Sequence, residues 1–187
     1  MSDRSLPVTT QTLVLNEEHT MPNSRCQDAW SQIQSARAYT LAMIEDVDRE
    51  EWYTMPPGLE THVAWQIGHV AMAEYGLALF RRRGRRDEDR SLLPGSFRRD
   101  FAKGSTPAEV SGKYSAEQLL EVLSNIHTQV ERELAECSDE ELQQPVDMPF
   151  AGQPTKLGAL WFCAHHEMLH AGQIGLIRRA MGKQPLR

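Results

Sequence analysis

The chain has 187 residues, 20 Lys and Arg against 26 Asp and Glu, a net charge of −6 and 40% hydrophobic residues. That length suits one domain with a substantial core, and the acidic balance argues against a general nucleic-acid binder. No stretch approaches the roughly 18 apolar residues of a membrane helix, no basic-then-apolar signal opens the chain, and Cys26, Cys137 and Cys163 are too few and too widely spaced for a disulfide framework, so a reducing cytoplasm is the expected location.

Residues 1–24 are polar, lack helical periodicity and read as an arm or tail; the folded unit is expected over 25–187. From Asp28 to about Val47, apolar residues recur near helical spacing: Trp30, Ile33, Ala36 or Arg37, Tyr39 or Thr40, Met43, Ile44 and Val47. They predict a first helix. Met55-Pro56-Pro57-Gly58 is a turn. Thr61 can cap a second helix from about His62 to Arg82. Val63, Ile67, Val70, Glu74 and Leu77 form one stripe of it, and Trp65, His69, Met72, Gly76 and Phe80 the next.

An arginine run, Arg81 to Arg86, closes this segment. Residues 81–103 hold nine Lys and Arg and four Asp and Glu, a local +5 against −11 for the remainder. Two readings stand side by side. One is a solvated helix C-terminus whose dipole favours cations, with Gly84 as the stop. The other is an entrance that attracts anionic substrates.

Residues 83–114 read as a long irregular connection. Ser115 to Gln118 has the form of a capping box and opens a third helix to about Cys137, with Leu119, Leu123, Ile126, Val130 and Leu134 on its apolar face. Ser138 starts a short turn, residues 144–155 read as a Pro/Gly-rich loop, and no strand alternation is visible. Thr155 caps a fourth helix, Lys156 to about Met181, stopped by Gly182 and apolar over most of its circumference. Four helices of this length predict an all-α four-helix bundle. The long second connection leaves room for helices two and three to run parallel.

The chemistry gathers on histidines. His166 and His170 stand at i, i+4, one turn apart on one helix face, as two imidazoles must to share a metal ion. Their stripe continues through Cys163, Gln173 and Ile177, which faces inward in a bundle. The run also reads His166-Glu-Met-Leu-His170, a literal H-E-x-x-H, but only 17 residues follow, with no His, Asp, Glu or Cys among them to complete a metalloprotease site. A third ligand must come from upstream, and His69, midway along helix two, is the candidate. Three neutral imidazoles make an open site suited to Zn²⁺ or Ni²⁺. Glu167 is a candidate base, Gln173 a candidate to orient an imidazole or a substrate, and Cys163 a reserve ligand. His165 reads as packing, His127 as a surface residue, and His19 and His62 carry no signal.

Trp65-Gln-Ile-Gly-His69 and His166-Glu-Met-Leu-His170-Ala-Gly-Gln173-Ile, with the FAKGSTP stretch (101–107) and the closing LIRRAMGK, resemble the DinB-like (YfiT-like) family of small metalloproteins. The resemblance runs from about residue 26 to the C-terminus. It implies an up-down-down-up bundle and a divalent metal on His69, His166 and His170. It further implies a homodimer and a small-molecule substrate, while the acidic balance and the lack of a membrane-length apolar segment predict no nucleic-acid or membrane partner. Relatives of this kind include S-transferases and a maleylpyruvate isomerase that use low-molecular-weight thiols. The activity implied is therefore a metal-dependent thiol S-transferase acting on small electrophiles. A metal-dependent hydrolase and a non-catalytic, stress-related metal-binding module are the alternatives.

Overall fold

Ser24 begins the first helix, α1 (Arg25–Ile44), with a complete capping box: its hydroxyl accepts from the Gln27 N–H and the Gln27 side chain accepts from the Ser24 N–H. The computed structural model describes residues 24–186, so nearly all of the expected arm, with His19, lies outside the described residues. Helix α2 (Val63–Glu74) continues through a π-helical turn (Tyr75–Phe80) into a last turn (Arg81–Arg83). Gly84, at φ 77°, stops it as expected. The cap of α2 is not Thr61 but His62, whose Nδ1 accepts from the Trp65 N–H while Nε2–H reaches the Pro107 carbonyl at 3.0 Å.

The connection that follows is not an irregular solvated loop. It contains α3 (Asp89–Leu92), α4 (Gly95–Asp100) and a 3₁₀ turn (Pro107–Val110), and it buries Leu93, Phe97, Phe101 and Val110. The long helix α5 (Ala116–Ala135) has the predicted capping box at Ser115 and buries the predicted stripe, Leu119 through Leu134. The short α6 (Asp139–Gln143) is capped by Ser138. The expected 144–155 loop is a hairpin, β1 (Pro145–Phe150) antiparallel to β2 (Gln153–Thr155). Its two-residue turn, Ala151-Gly152, has both φ angles positive, at 52° and 73°, as a hairpin twist demands. Three prolines in this short stretch hide the alternation from a sequence reading. Helix α7 (Lys156–Ala180) is capped by Thr155. It is less enclosed than its composition suggests, since Trp161, Met168, Leu169 and Leu176 are exposed.

The four long helices close a ring. α1 packs chiefly on α7, α7 on α2, α2 on α5, and α5 back on α1. Among the described residues, no helix is long and apolar enough to cross a membrane.

A charged group sits where this ring closes. The guanidinium of Arg37 on α1 is buried; its Nε donates to Glu167 Oε1 on α7 at 2.8 Å, its Nη2 to Glu74 Oε2 on α2 at 2.7 Å, and its Nη1 to the Leu123 carbonyl on α5 at 3.3 Å. His127 of α5 is not a bare surface residue: its Nδ1 lies 2.7 Å from Glu74 Oε1 and its ring packs on Trp30. Burial disfavours the Arg37 charge, but the two carboxylates outweigh it and raise its pKa. Burial also raises the Glu167 pKa, which Arg37 opposes. Removing one member of such a network strands the others. Arg37→Ala should lose about 3–5 kcal/mol of unfolding free energy in urea, with Arg37→Lys falling between it and the parent. A loss below about 1 kcal/mol would show that the carboxylates find other partners.

The arginine run divides: Arg85 and Arg86 are exposed, as a solvated helix end would be, while Arg82 and Arg83 are paired. Arg82 bonds Glu133 and Glu141, and Arg83 forks onto Asp89 at 2.6 and 2.8 Å and onto Glu133. Burial pushes the Asp89 carboxyl up, but Arg83, the Arg86 N–H and the Tyr75 hydroxyl outweigh it and hold it down at about 2. Its folded pKa is therefore below its unfolded one. The stability it contributes is complete above about pH 4 and is lost as pH falls toward 2, on the order of 2 kcal/mol. Asp89→Asn should flatten that acid limb in pH-dependent urea midpoints and lower stability at neutral pH.

Candidate metal centre

Two helices bring the three predicted imidazoles together. His69 of α2 and His166 and His170 of α7 offer ligand atoms that all lie within 4.8 Å of one another. Ring centroids are 4.5 Å apart for His166–His170, 4.6 Å for His69–His170 and 5.2 Å for His69–His166. A tetrahedral zinc site with Zn–N bonds of about 2.1 Å has donor–donor edges of about 3.4 Å. The ligand atoms of the triad exceed that spacing by at most about 1.4 Å.

The second nitrogens of two rings are already committed. His69 Nδ1–H donates to the Phe101 carbonyl at 2.8 Å. His170 Nδ1–H donates to Gln66 Oε1 at 2.5 Å, and Gln66 Nε2 in turn donates to Thr61 Oγ1 at 2.9 Å. Both arrangements leave Nε2 unprotonated as the ligand atom, which is the outer-shell control that metal-binding histidines need. His166 has no hydrogen-bond partner among the described residues. Burial lowers all three pKa values, and neighbouring imidazoles lower two further: His166 falls to about 4 and His170 to about 3. The triad is therefore neutral at physiological pH, the state a metal requires.

The FAKGSTP stretch is the strap that builds this order. Running against α2, it offers the Phe101 carbonyl to His69, the Ser105 hydroxyl to Trp65 Nε1 at 3.0 Å, and the Pro107 carbonyl to His62. Trp65 stacks on His69 with centroids 4.7 Å apart and planes at 14°. Gly68 makes the close approach possible: a Cβ there would stand 2.4 Å from the Phe101 ring.

The other sequence candidates part company. Glu167 turns away from the triad, with both carboxylate oxygens on Arg37, so the H-E-x-x-H helix does not present its glutamate as a base beside the histidines. Gln173 lines the cavity mouth, exposed, without a hydrogen bond to a histidine; the amide that orients His170 is Gln66, which sequence reasoning missed. Cys163 is buried near Glu74 and Glu167, which with burial push its thiol well up, and it is not part of the triad. His165 is exposed. His62, assigned no role from sequence, is fully buried and caps α2.

The triad forms the floor of an open cavity of about 1090 Å³. Met72, Leu77, Phe150 and Phe162 supply apolar wall, and Arg81, Arg98, Arg99 and Lys103 supply cationic groups. Among the described residues no Asp or Glu lines it.

Fold and floor together describe a helical protein built around a candidate three-imidazole metal centre. The chain belongs to the DinB superfamily, matching it over residues 32–174. Among solved structures it is similar to a conserved protein from Enterococcus faecalis, at 17% identity and a TM-score of 0.66, covering 86% of this chain and 99% of that one; at that identity the likeness concerns the fold. No curated protein matches the chain.

Gly68→Ala tests the strap. The added methyl must displace the Phe101 ring, costing about 1–3 kcal/mol of stability and loosening the carbonyl on His69. The Tm gained on adding Zn²⁺ or Ni²⁺ should shrink, and affinity in a chelator competition should fall roughly tenfold. Unchanged affinity in a destabilised variant would separate the strap from the triad.

Proposed function

We propose that this protein is a divalent-metal enzyme that transfers a low-molecular-weight thiol to a small electrophile. The observation that carries the reading is the meeting of three neutral imidazoles at the floor of a large open cavity in whose wall the described residues place no carboxylate. Nε2 of His69, His166 and His170 would hold Zn²⁺ or Ni²⁺, which supplies the positive charge that lowers the pKa of a thiol or a water. The strap and Gln66 keep the two buried rings in the ligating tautomer. Arg98, Arg99 and Lys103 around the mouth draw in negatively charged reactants. Among the described residues no acid lines the cavity, so the thiol proton, and the anion that the electrophile loses as its bond to sulfur forms, would leave to solvent through the open mouth. A hydrolase would use the same floor with water in place of the thiol.

The up-down-down-up helix course, a cytoplasmic location and a homodimer belong to the same proposal. The apolar side chains exposed along α7 support the last of these.

Elemental analysis with an activity panel tests the reading. The purified chain should hold about one Zn or Ni per protomer, and His170→Ala should lose it along with several degrees of Tm. Turnover of 1-chloro-2,4-dinitrobenzene should require both the metal and one member of a panel of small thiols. Metal-dependent turnover of an ester with no thiol would favour the hydrolase; full metal content in His170→Ala would remove the ligand assignment.

A further inference from the structure

We infer that Arg81 is the anion anchor of the cavity, and that the ligand is an elongated amphipathic carboxylate whose charged end meets this guanidinium while its other end faces the three histidines. The inference rests on the reading of the histidine floor as the working end of the cavity.

The helix itself singles Arg81 out. Along α2 and its continuation the cavity is lined by Trp65, His69, Met72 with Ala73, Gly76 with Leu77, and then Arg81, five residues beyond Gly76 and four beyond Leu77. The step from Gly76 to Arg81 is the π turn, in which the Arg81 N–H bonds the Gly76 carbonyl. In an unbroken α-helix, residue 80 lies within about 20° of the direction of residue 69. The extra residue of the π turn passes that place from Phe80 to Arg81, and π turns of this kind gather at functional sites.

Its environment differs from that of its neighbours. Arg82 and Arg83 spend their charge on Glu133, Glu141 and Asp89. Arg81 has no carboxylate partner among the described residues. Nη1 donates to the Gly76 carbonyl at 2.8 Å, Nε donates to the Met148 carbonyl at 3.2 Å, and the guanidinium lies 5.0 Å from the centre of the Phe150 ring. Two neutral carbonyls and an aromatic face hold the fork still and leave Nη2 for a ligand. Burial lowers its pKa, a penalty that an arriving carboxylate relieves. A guanidinium fixed in this way meets a planar carboxylate with little loss of its own freedom.

The position also sets a length. The guanidinium rests on Gly76, seven residues beyond His69, which is on the order of 10 Å along the helix. Between the two ends stand Met72, Phe150 and Phe162. The matching ligand has an apolar middle of about that span.

Calorimetry on the whole chain separates the two ends. In chelator-treated protein, where no ion competes for the carboxylate, octanoate should bind at least tenfold more tightly than octanamide. Arg81→Gln should abolish the difference, lowering octanoate affinity about 10- to 100-fold while sparing octanamide; Arg81→Lys should fall between. Arg98→Gln with Arg99→Gln should cost less than threefold. Equal binding of octanoate and octanamide by the unaltered chain, or a preference that survives Arg81→Gln, overturns the anchor. In metal-loaded protein, 8-mercaptooctanoate should outbind octanoate. If the thiol gains nothing from the metal while the carboxylate preference still depends on Arg81, the histidine reading fails and the anchor stands.

Discussion

A single buried guanidinium decides how the long helices meet. Arg37 enters from α1 and bonds a side chain of α2, a side chain of α7 and a main-chain carbonyl of α5. Apolar packing alone tolerates sliding of one helix past another, because hydrophobic contact has little direction. A forked donor with two carboxylates does not, since a shift of one turn would strand buried charges. Glu74 lies five residues beyond His69, and Glu167 stands between His166 and His170. The pairing that sets the depth of α2 against α7 thereby sets the depth at which the three imidazoles come together. Glu167, adjacent in sequence to a ligand candidate, serves the site by holding its helix rather than by facing the chemistry.

Around that frame, the site is shaped where the chain leaves regular structure. The strap from Phe101 to Pro107 hydrogen-bonds His62, Trp65 and His69 along one face of α2, and it can lie so close only because residue 68 has no side chain. The π turn at residues 75–80 re-aims the end of the same helix and turns an arginine toward the cavity. The hairpin after α6 closes another side with Phe150 and Ala151. Each departure costs local regularity, and each places a group that an ideal bundle would leave elsewhere.

The distribution of charge follows the same division of labour. Asp89, Glu133 and Glu141 are drawn into pairs with Arg82 and Arg83, and among the described residues the cavity wall is left cationic and apolar. A chain with a net charge of −6 thus presents a locally positive hollow, which neither its isoelectric point nor its total composition reveals.

The helices and the histidines were legible in the residues themselves. Caps at Ser115 and Thr155, the apolar stripe of α5, the stop at Gly84 and the i, i+4 pair of His166 and His170 are local patterns, and local patterns survive folding because hydrogen-bond rings and helix faces span only a few residues. What joined those pieces was not local. The Nδ1 partners of His69 and His170 lie 32 and 104 positions away, the partners of Arg37 lie 37 and 130 positions away, and no spacing rule connects such pairs. Phe97 and Phe101 look like stray apolar residues in a loop until α2 offers them a surface. Arg81 reads as one of five like charges until the π turn separates it from the others. Which polar group is satisfied by which becomes defined only when the packed core removes water as the alternative partner, and that selection belongs to the tertiary structure.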